Sequence, residues 1–133
     1  MIANASNFLE HQTLNHFFRG QNAPTVSTPF LALYISDPTE ADIGTEIAGG
    51  GYVRQPISFT EPEQINGRGQ IENDKLIEFP TATSNWGTVS HWGIRDAETG
   101  GNLLTYAPVP TPKLIESGDE AKFNAGAITI SMD

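Results

Sequence analysis

Three histidines, a serine beside one of them, a cluster of carboxylates, a glycine run and two tryptophans are the parts of this chain from which chemistry could be built. His11 and His16 lie five apart in a segment of helical character. That spacing puts them on different faces, whereas a shared metal ion asks for ligands at i and i+4. Both are read as surface or helix-flank side chains. His91 stands between Trp86 and Trp92 with Ser90 next to it, and any of several aspartates would complete a nominal triad. No G-x-S-x-G nucleophile elbow accompanies it, so no catalytic residue is expected. Asp37, Glu40, Asp42 and Glu46 supply oxygen ligands dense enough for calcium, but the alternation and central glycine of an EF-hand loop are missing. The preferred reading is a solvated loop kept extended by its own charge. Gly49-Gly50-Gly51 invites comparison with a phosphate loop, yet it lacks the following Lys-Ser/Thr and leads into a strand. Such a run supplies tight backbone conformations and little else.

Trp86 and Trp92 are six apart, each followed by glycine, and share a face if the segment is extended. They are candidate core or surface aromatics. In a small β domain two indoles are most simply its largest core residues. Exposed, they could stack on sugar rings or anchor a protein contact.

Composition narrows the field further. The 133 residues carry 16 Asp and Glu against 7 Lys and Arg, a net charge of −9, which repels phosphate and argues against nucleic acid. With no cysteine there is no thiol chemistry and no thiolate zinc site, and no metal or cofactor is expected. No apolar run approaches the roughly 18 residues that span a bilayer, so no membrane partner is expected. The first residues, Met-Ile-Ala-Asn-Ala-Ser, lack the basic and apolar regions of a secretory signal, which implies assembly in the cytoplasm. Charged residues make up only 17% of the chain, while 13 Gly and 9 Pro point to strands and turns rather than a helical bundle.

The elements that must position these residues follow from periodicity. One helix is expected near the start, capped by Asn7 with Glu10 three residues on and stopped by Gly20. Phe8, Leu14, Phe17 and Phe18 give it a heavy apolar load. That face either packs on the domain's own sheet or, in part, docks on a partner. Gln21–Pro29 reads as an extended connector, so residues 1–29 form an arm and 30–133 a β-sandwich domain. Phe30–Ser36 is apolar on both faces, as a central buried strand should be. Residues 37–51 form a long acidic excursion, functional or mobile by its length. Tyr52–Thr60 alternates but contains Pro56, which makes it an edge strand or a bulged one. Glu61–Gly69 reads as turn-rich. Gln70–Glu72 and Leu76–Phe79 are short strands. Thr88–Arg95 and Asn102–Ala107 form a hairpin around Asp96–Gly101. Val109–Pro112 is a stiff connector, and Lys122–Asn124 with Ala127–Ser131 completes the set. Seven or eight short strands argue for a mainly β fold, an antiparallel β-sandwich of jelly-roll or immunoglobulin-like size with one N-terminal α-helix.

The order of these motifs carries a resemblance. Ser6–Glu10 with Leu14–Arg19, then Phe30–Thr39, Gly49–Gln55, Ile77–Ala97 and Gly100–Tyr106 together resemble a family of small tailed-bacteriophage and prophage structural proteins, often labelled tail fibre or minor tail protein. The likeness runs from Ser6 to about Ile130. It implies a non-enzymatic virion component and carries no active site with it. The chain has no heptads, collagen-like triplets or β repeats, so a single compact sandwich cannot by itself make a fibre shaft. Decoration of the capsid exterior as a cement protein is the expected role. A tail fibre, minor tail or baseplate component is the first alternative, and a receptor- or glycan-binding tip the second. Expected partners are the major capsid protein or tail proteins of the virion, with closed homo-oligomers also expected. Candidate interface residues are Phe8, Leu14, Phe17 and Phe18 on the arm, and Tyr52, Arg54 and Pro56 on the edge strand.

Overall fold

The structure, a computed structural model, describes residues 3–133. Met1 and Ile2, where the expected arm begins, lie outside the described residues. The chain runs β1 (Asn4–Ala5), α1 (Asn7–Arg19), β2 (Phe30–Tyr34), β3 (Gln55–Pro56), β4 (Glu63–Ile65), β5 (Arg68–Glu72), β6 (Ile77–Glu78), β7 (Gly87–Arg95), β8 (Leu103–Ile115), β9 (Lys122–Phe123) and β10 (Thr129–Met132). The fold is mainly β with antiparallel sheets and one helix near the N-terminus, as the periodicity led us to expect. Among the described residues no helix is long and apolar enough to cross a membrane.

The largest sheet has the order β1-β8-β7-β2-β3. Its centre is the β7–β8 hairpin, with Ile94 opposite Thr105 and Trp92 opposite Ala107. On its other side β7 pairs with β2, Leu33 facing Trp92. The doubly apolar pattern of β2 has a direct structural cause. Leu31 and Leu33 enter the main core, while Ala32 and Tyr34 point to a second, smaller cluster with Leu103 and Tyr106. The main core also takes Ile77, Phe79 and Ile128, with half-buried Phe123 and Ile130 against it, so the three-stranded sheet β10-β5-β4 and the pair β6-β9 close it sandwich-fashion.

Several local expectations need correction. Ser6, not Asn7, caps α1: its side chain accepts from the Leu9 amide at 3.1 Å, and its hydroxyl donates to the Leu103 carbonyl of β8. Asn7 is already the first helical residue. Because Ser6 serves the helix and the sheet at once, Ser6→Ala should lower stability by about 1–2 kcal/mol, read from a urea midpoint shift. The helix stops at Gly20 as expected, with φ of 68°, a left-handed conformation that suits glycine.

The boundary expected after residue 29 is not a boundary of the sheet. β1 pairs with β8, Asn4 opposite Tyr106, so the chain's start belongs to the sandwich. Glu61–Gly69 is not a plain connection either. It holds a tight hairpin of β4 and β5 around Asn66-Gly67, both at positive φ (53° and 80°), which suits a type I′ turn. Val109–Pro112 lies within β8 as an outward excursion: Val89 faces Lys113 while His91 faces Pro108. Tyr52–Thr60 yields a two-residue strand, Gln55 and Pro56, at the edge of the large sheet beside β2, and an isolated bridge from Phe59 to Asn73.

Candidate functional site

The acidic loop and two arginines form the densest polar structure in the molecule. Glu46 binds Arg54 through both oxygens, Oε2 to Nε and Oε1 to Nη2, each at 2.8 Å. The Tyr52 hydroxyl donates to Glu46 Oε2 at 2.6 Å and accepts from the Leu33 amide at 3.0 Å. Asp42 binds Arg95 through Nη1 at 2.7 Å and Nη2 at 3.0 Å, and Arg95 Nη1 also donates to the Tyr34 hydroxyl at 3.1 Å. Both guanidiniums then reach the β7–β8 turn. Arg54 donates to the carbonyls of Ala97 and Gly100, and Arg95 to those of Gly100 and Gly101.

This overturns the reading of residues 37–51 as a solvated, self-repelling loop. Two of its four acids are consumed by arginines whose side chains are only 8% and 10% exposed. The loop is clamped over the second face of the large sheet, above Tyr34. Among the described residues no group of three or more His, Asp or Glu is placed to hold a metal ion. Gly50 has a mechanical role. Its carbonyl accepts from Trp86 Nε1 at 2.8 Å, and a Cβ there would sit 2.8 Å from that same nitrogen.

The pKa shifts follow the geometry. Burial works to raise the Glu46 carboxyl, but the bonds from Arg54 and Tyr52 outweigh it and hold the group below its ordinary 4.5. Burial, then the Glu46 carboxylate, push the Tyr52 hydroxyl far above its usual range. Burial likewise raises Tyr34. A carboxyl whose folded value lies below its unfolded one stabilises the fold above the unfolded value and loses that contribution as pH falls through the folded one. Thermal melting should therefore hold steady near neutrality and weaken once pH drops below 4.5. Glu46→Gln should show a smaller acid-induced loss, measured by melting curves at neutral and acid pH. Equal losses would remove Glu46 from the account.

The remaining candidates are placed as follows. Ser90 Oγ and His91 Nδ1 are 2.9 Å apart, and His91 Nε2 lies 3.8 Å from Asp37 Oδ1. The nominal triad is thus assembled in space, but neither Ser90 nor His91 lines the groove beneath α1 or the cleft beside Trp92. Trp86 and Trp92 are 5% and 3% exposed and belong to the core, which leaves neither indole free to stack on a sugar. Tyr52 lies against Phe79 (5.9 Å, stacked) and Trp86 (5.5 Å, edge-on). Tyr52 and Arg54, interface candidates on the edge strand, are turned inward by Glu46; Pro56 is exposed.

The helix departs from a home-packed face. None of its residues is buried. Phe8 and Leu9 are half-buried, while Leu14, Phe17 and Phe18 are 55%, 73% and 79% exposed. The physical reason is the short contact of α1 with the sheet, made chiefly with β1 and β8. Pairing within 37–54 and with Arg95 is not legible in the sequence, because salt-bridge partners far apart along the chain leave no periodic trace. The available signal was the scarcity of cations: with 7 Lys and Arg in all, an Arg after Tyr52-Val53 and one closing Trp92-Gly-Ile94 each needed a carboxylate.

The fold is a mainly β sandwich whose partly buried ion pairs brace its own loops, with exposed aromatics confined to one helix end. Residues 4–131 match the family model described as Podophage GP4 fiber I protein gp80. The chain belongs to that family, a bacteriophage fibre-type structural family, and is a structural protein of the virion. A comparison with curated proteins finds no match.

Proposed function

We propose that this protein is a fibre-type component of a podophage virion, attached to other virion proteins through the exposed end of α1. The observation that carries the reading is the distribution of aromatics. Of 7 Phe, 3 Tyr and 2 Trp, Phe17 and Phe18 alone are exposed. Both are joined by Leu14 on a helix none of whose residues is fully buried. Isolated exposed apolar side chains need no explanation, but contiguous ones mark a docking surface. The family's description as a fibre protein favours a fibre over the capsid cement first expected from the sequence. Without a repeat, the chain serves as an adaptor or tip rather than a shaft. Its work is mechanical: many moderate contacts combine by multivalency, and no chemical step is required.

Quantitative protein measurement on purified particles separates the two placements. A fibre component is expected at a few to a few dozen copies per particle. Copy numbers in the hundreds, comparable to the major capsid protein, would return the protein to the head exterior. Phe17→Asp should leave the melting temperature unchanged and weaken incorporation into particles. Loss of folding in that variant would show instead that the helix end is packed at home.

A further inference from the structure

Between β8 and β9 lies a cleft of about 310 Å³ whose floor is the core itself, with Leu33, Trp92 and Ile128 lining it. A cavity of about 150 Å³ walled by apolar side chains takes up benzene, so this one has room for a large aromatic side chain. Both walls are strand backbone that the fold leaves unpaired. On one side Val109–Thr111 stands outside the β7–β8 ladder, which passes from Val89 with Lys113 straight to His91 with Pro108. On the other side is β9, whose partner in the sheet is β6. No residue of β6 lines the cleft, so β9 borders it with its free side. Among the described residues, no backbone hydrogen bond joins Lys122 or Phe123 to any further element.

The rim of the cleft carries the opposite charge to the molecule as a whole. Lys113 and Lys122 outnumber Glu120 there, on a chain whose net charge is −9. Lys122 meets Glu120 in an exposed pair at 3.4 Å. Lys113 makes no ion pair among the described residues. A lysine at a sheet edge deters pairing by ordinary strands. The same lysine favours a strand that brings carboxylates, because complementary charge speeds encounter and fixes register.

We propose that this cleft is a second docking site, which takes an extended acidic segment of another virion protein. The segment pairs with the free side of β9 and sets one aromatic side chain against Trp92. Side chains alternate along a strand, so the residues two before and two after the aromatic one return to the same face. Carboxylates at those positions lie beside Lys113 and Lys122. Backbone pairing supplies affinity and the pocket supplies selection, as in other cases of strand addition. No residue of α1 lines the cleft, so this contact is separate from the helix end. The inference rests on the fibre reading only for the class of partner.

The probe is an acetylated and amidated pentapeptide with phenylalanine at its centre, threonine on either side of it and aspartate at both ends. Titrated into the isolated full chain, it should shift tryptophan fluorescence with a dissociation constant below about 1 mM. Alanine at the centre of the peptide, or lysine in place of both aspartates, should weaken binding at least about tenfold. Lys113→Glu should do the same with an unchanged far-ultraviolet spectrum, and Lys122→Glu repeats the test at the other wall. Phe17→Asp, the variant that tests the helix end, should bind the peptide like the wild type. A flat titration up to about 5 mM overturns the proposal. So does equal binding of the alanine peptide, indifference to both lysine variants, or loss of binding in Phe17→Asp. Phenylacetate binding as tightly as the peptide would assign the cleft to a small ligand instead. Self-association that Lys113→Glu abolishes would assign it to a second copy, and either result overturns the proposal.

Discussion

Replacing Glu46 by alanine should destabilise this protein by about 3 kcal/mol, a loss out of proportion to a half-exposed loop in the sequence. The carboxylate engages two Arg54 nitrogens and the Tyr52 hydroxyl at once. Removing it leaves a guanidinium, 8% exposed, without its counter-charge, and a half-buried phenol without its acceptor. The cost of such an orphaned charge exceeds the worth of the pair itself, because desolvation is already incurred. A second variant isolates that cause. Glu46→Leu combined with Arg54→Met removes both charges and should recover much of the loss. Urea titration of wild type, single and double variants is the measurement. A double variant as unstable as the single one would mean that Arg54 matters through its carbonyl bonds to Ala97 and Gly100 instead.

The other large effect is expected at Phe79. Its side chain is 1% exposed and meets the rings of Tyr52, Trp86 and Phe123. Truncation to alanine opens a cavity among side chains drawn from distant parts of the chain, which cannot collapse together, and should cost about 3–5 kcal/mol. Near-ultraviolet circular dichroism should change with it, since Trp86 loses one of its two edge-on partners and keeps Tyr52. By contrast Phe17→Ala and Phe18→Ala should each stay within about 0.5 kcal/mol, because exposed side chains contribute little to the fold. A Phe79→Ala loss below about 1 kcal/mol would show that the core repacks around the gap.

The contrast between Phe79 and Phe17 shows where sequence reading reaches and where it stops. Both are phenylalanines in apolar neighbourhoods. The period of α1 gave its four large side chains a face, but nothing local says whether a face has an opposing surface. That depends on where β1 and β8 come to lie, which involves residues about a hundred positions away. The same limit applies to Tyr52 and Arg54. The edge strand made them interface candidates, yet Glu46, six and eight residues earlier, draws both inward. Ser6 and Asn7 show the limit at its smallest scale. Both residue types cap helices, and the choice fell to Ser6 because its hydroxyl also reaches Leu103.

Taken by itself, the sequence determined what short-range physics controls. The apolar run of β2, the hairpin of β7 and β8, the stop at Gly20 and the edge position of Pro56 all follow from periods and backbone preferences that act over a few residues. It also determined the absence of thiol chemistry, through the absence of cysteine. The tertiary structure alone decided which apolar faces are covered and which acids meet which arginines. Those outcomes depend on pairings such as Asp42 with Arg95, 53 residues apart, and β1 with β8. Burial and ion pairing depend on distance in space, and chain closure sets that distance without leaving a local pattern in the residues that end up together.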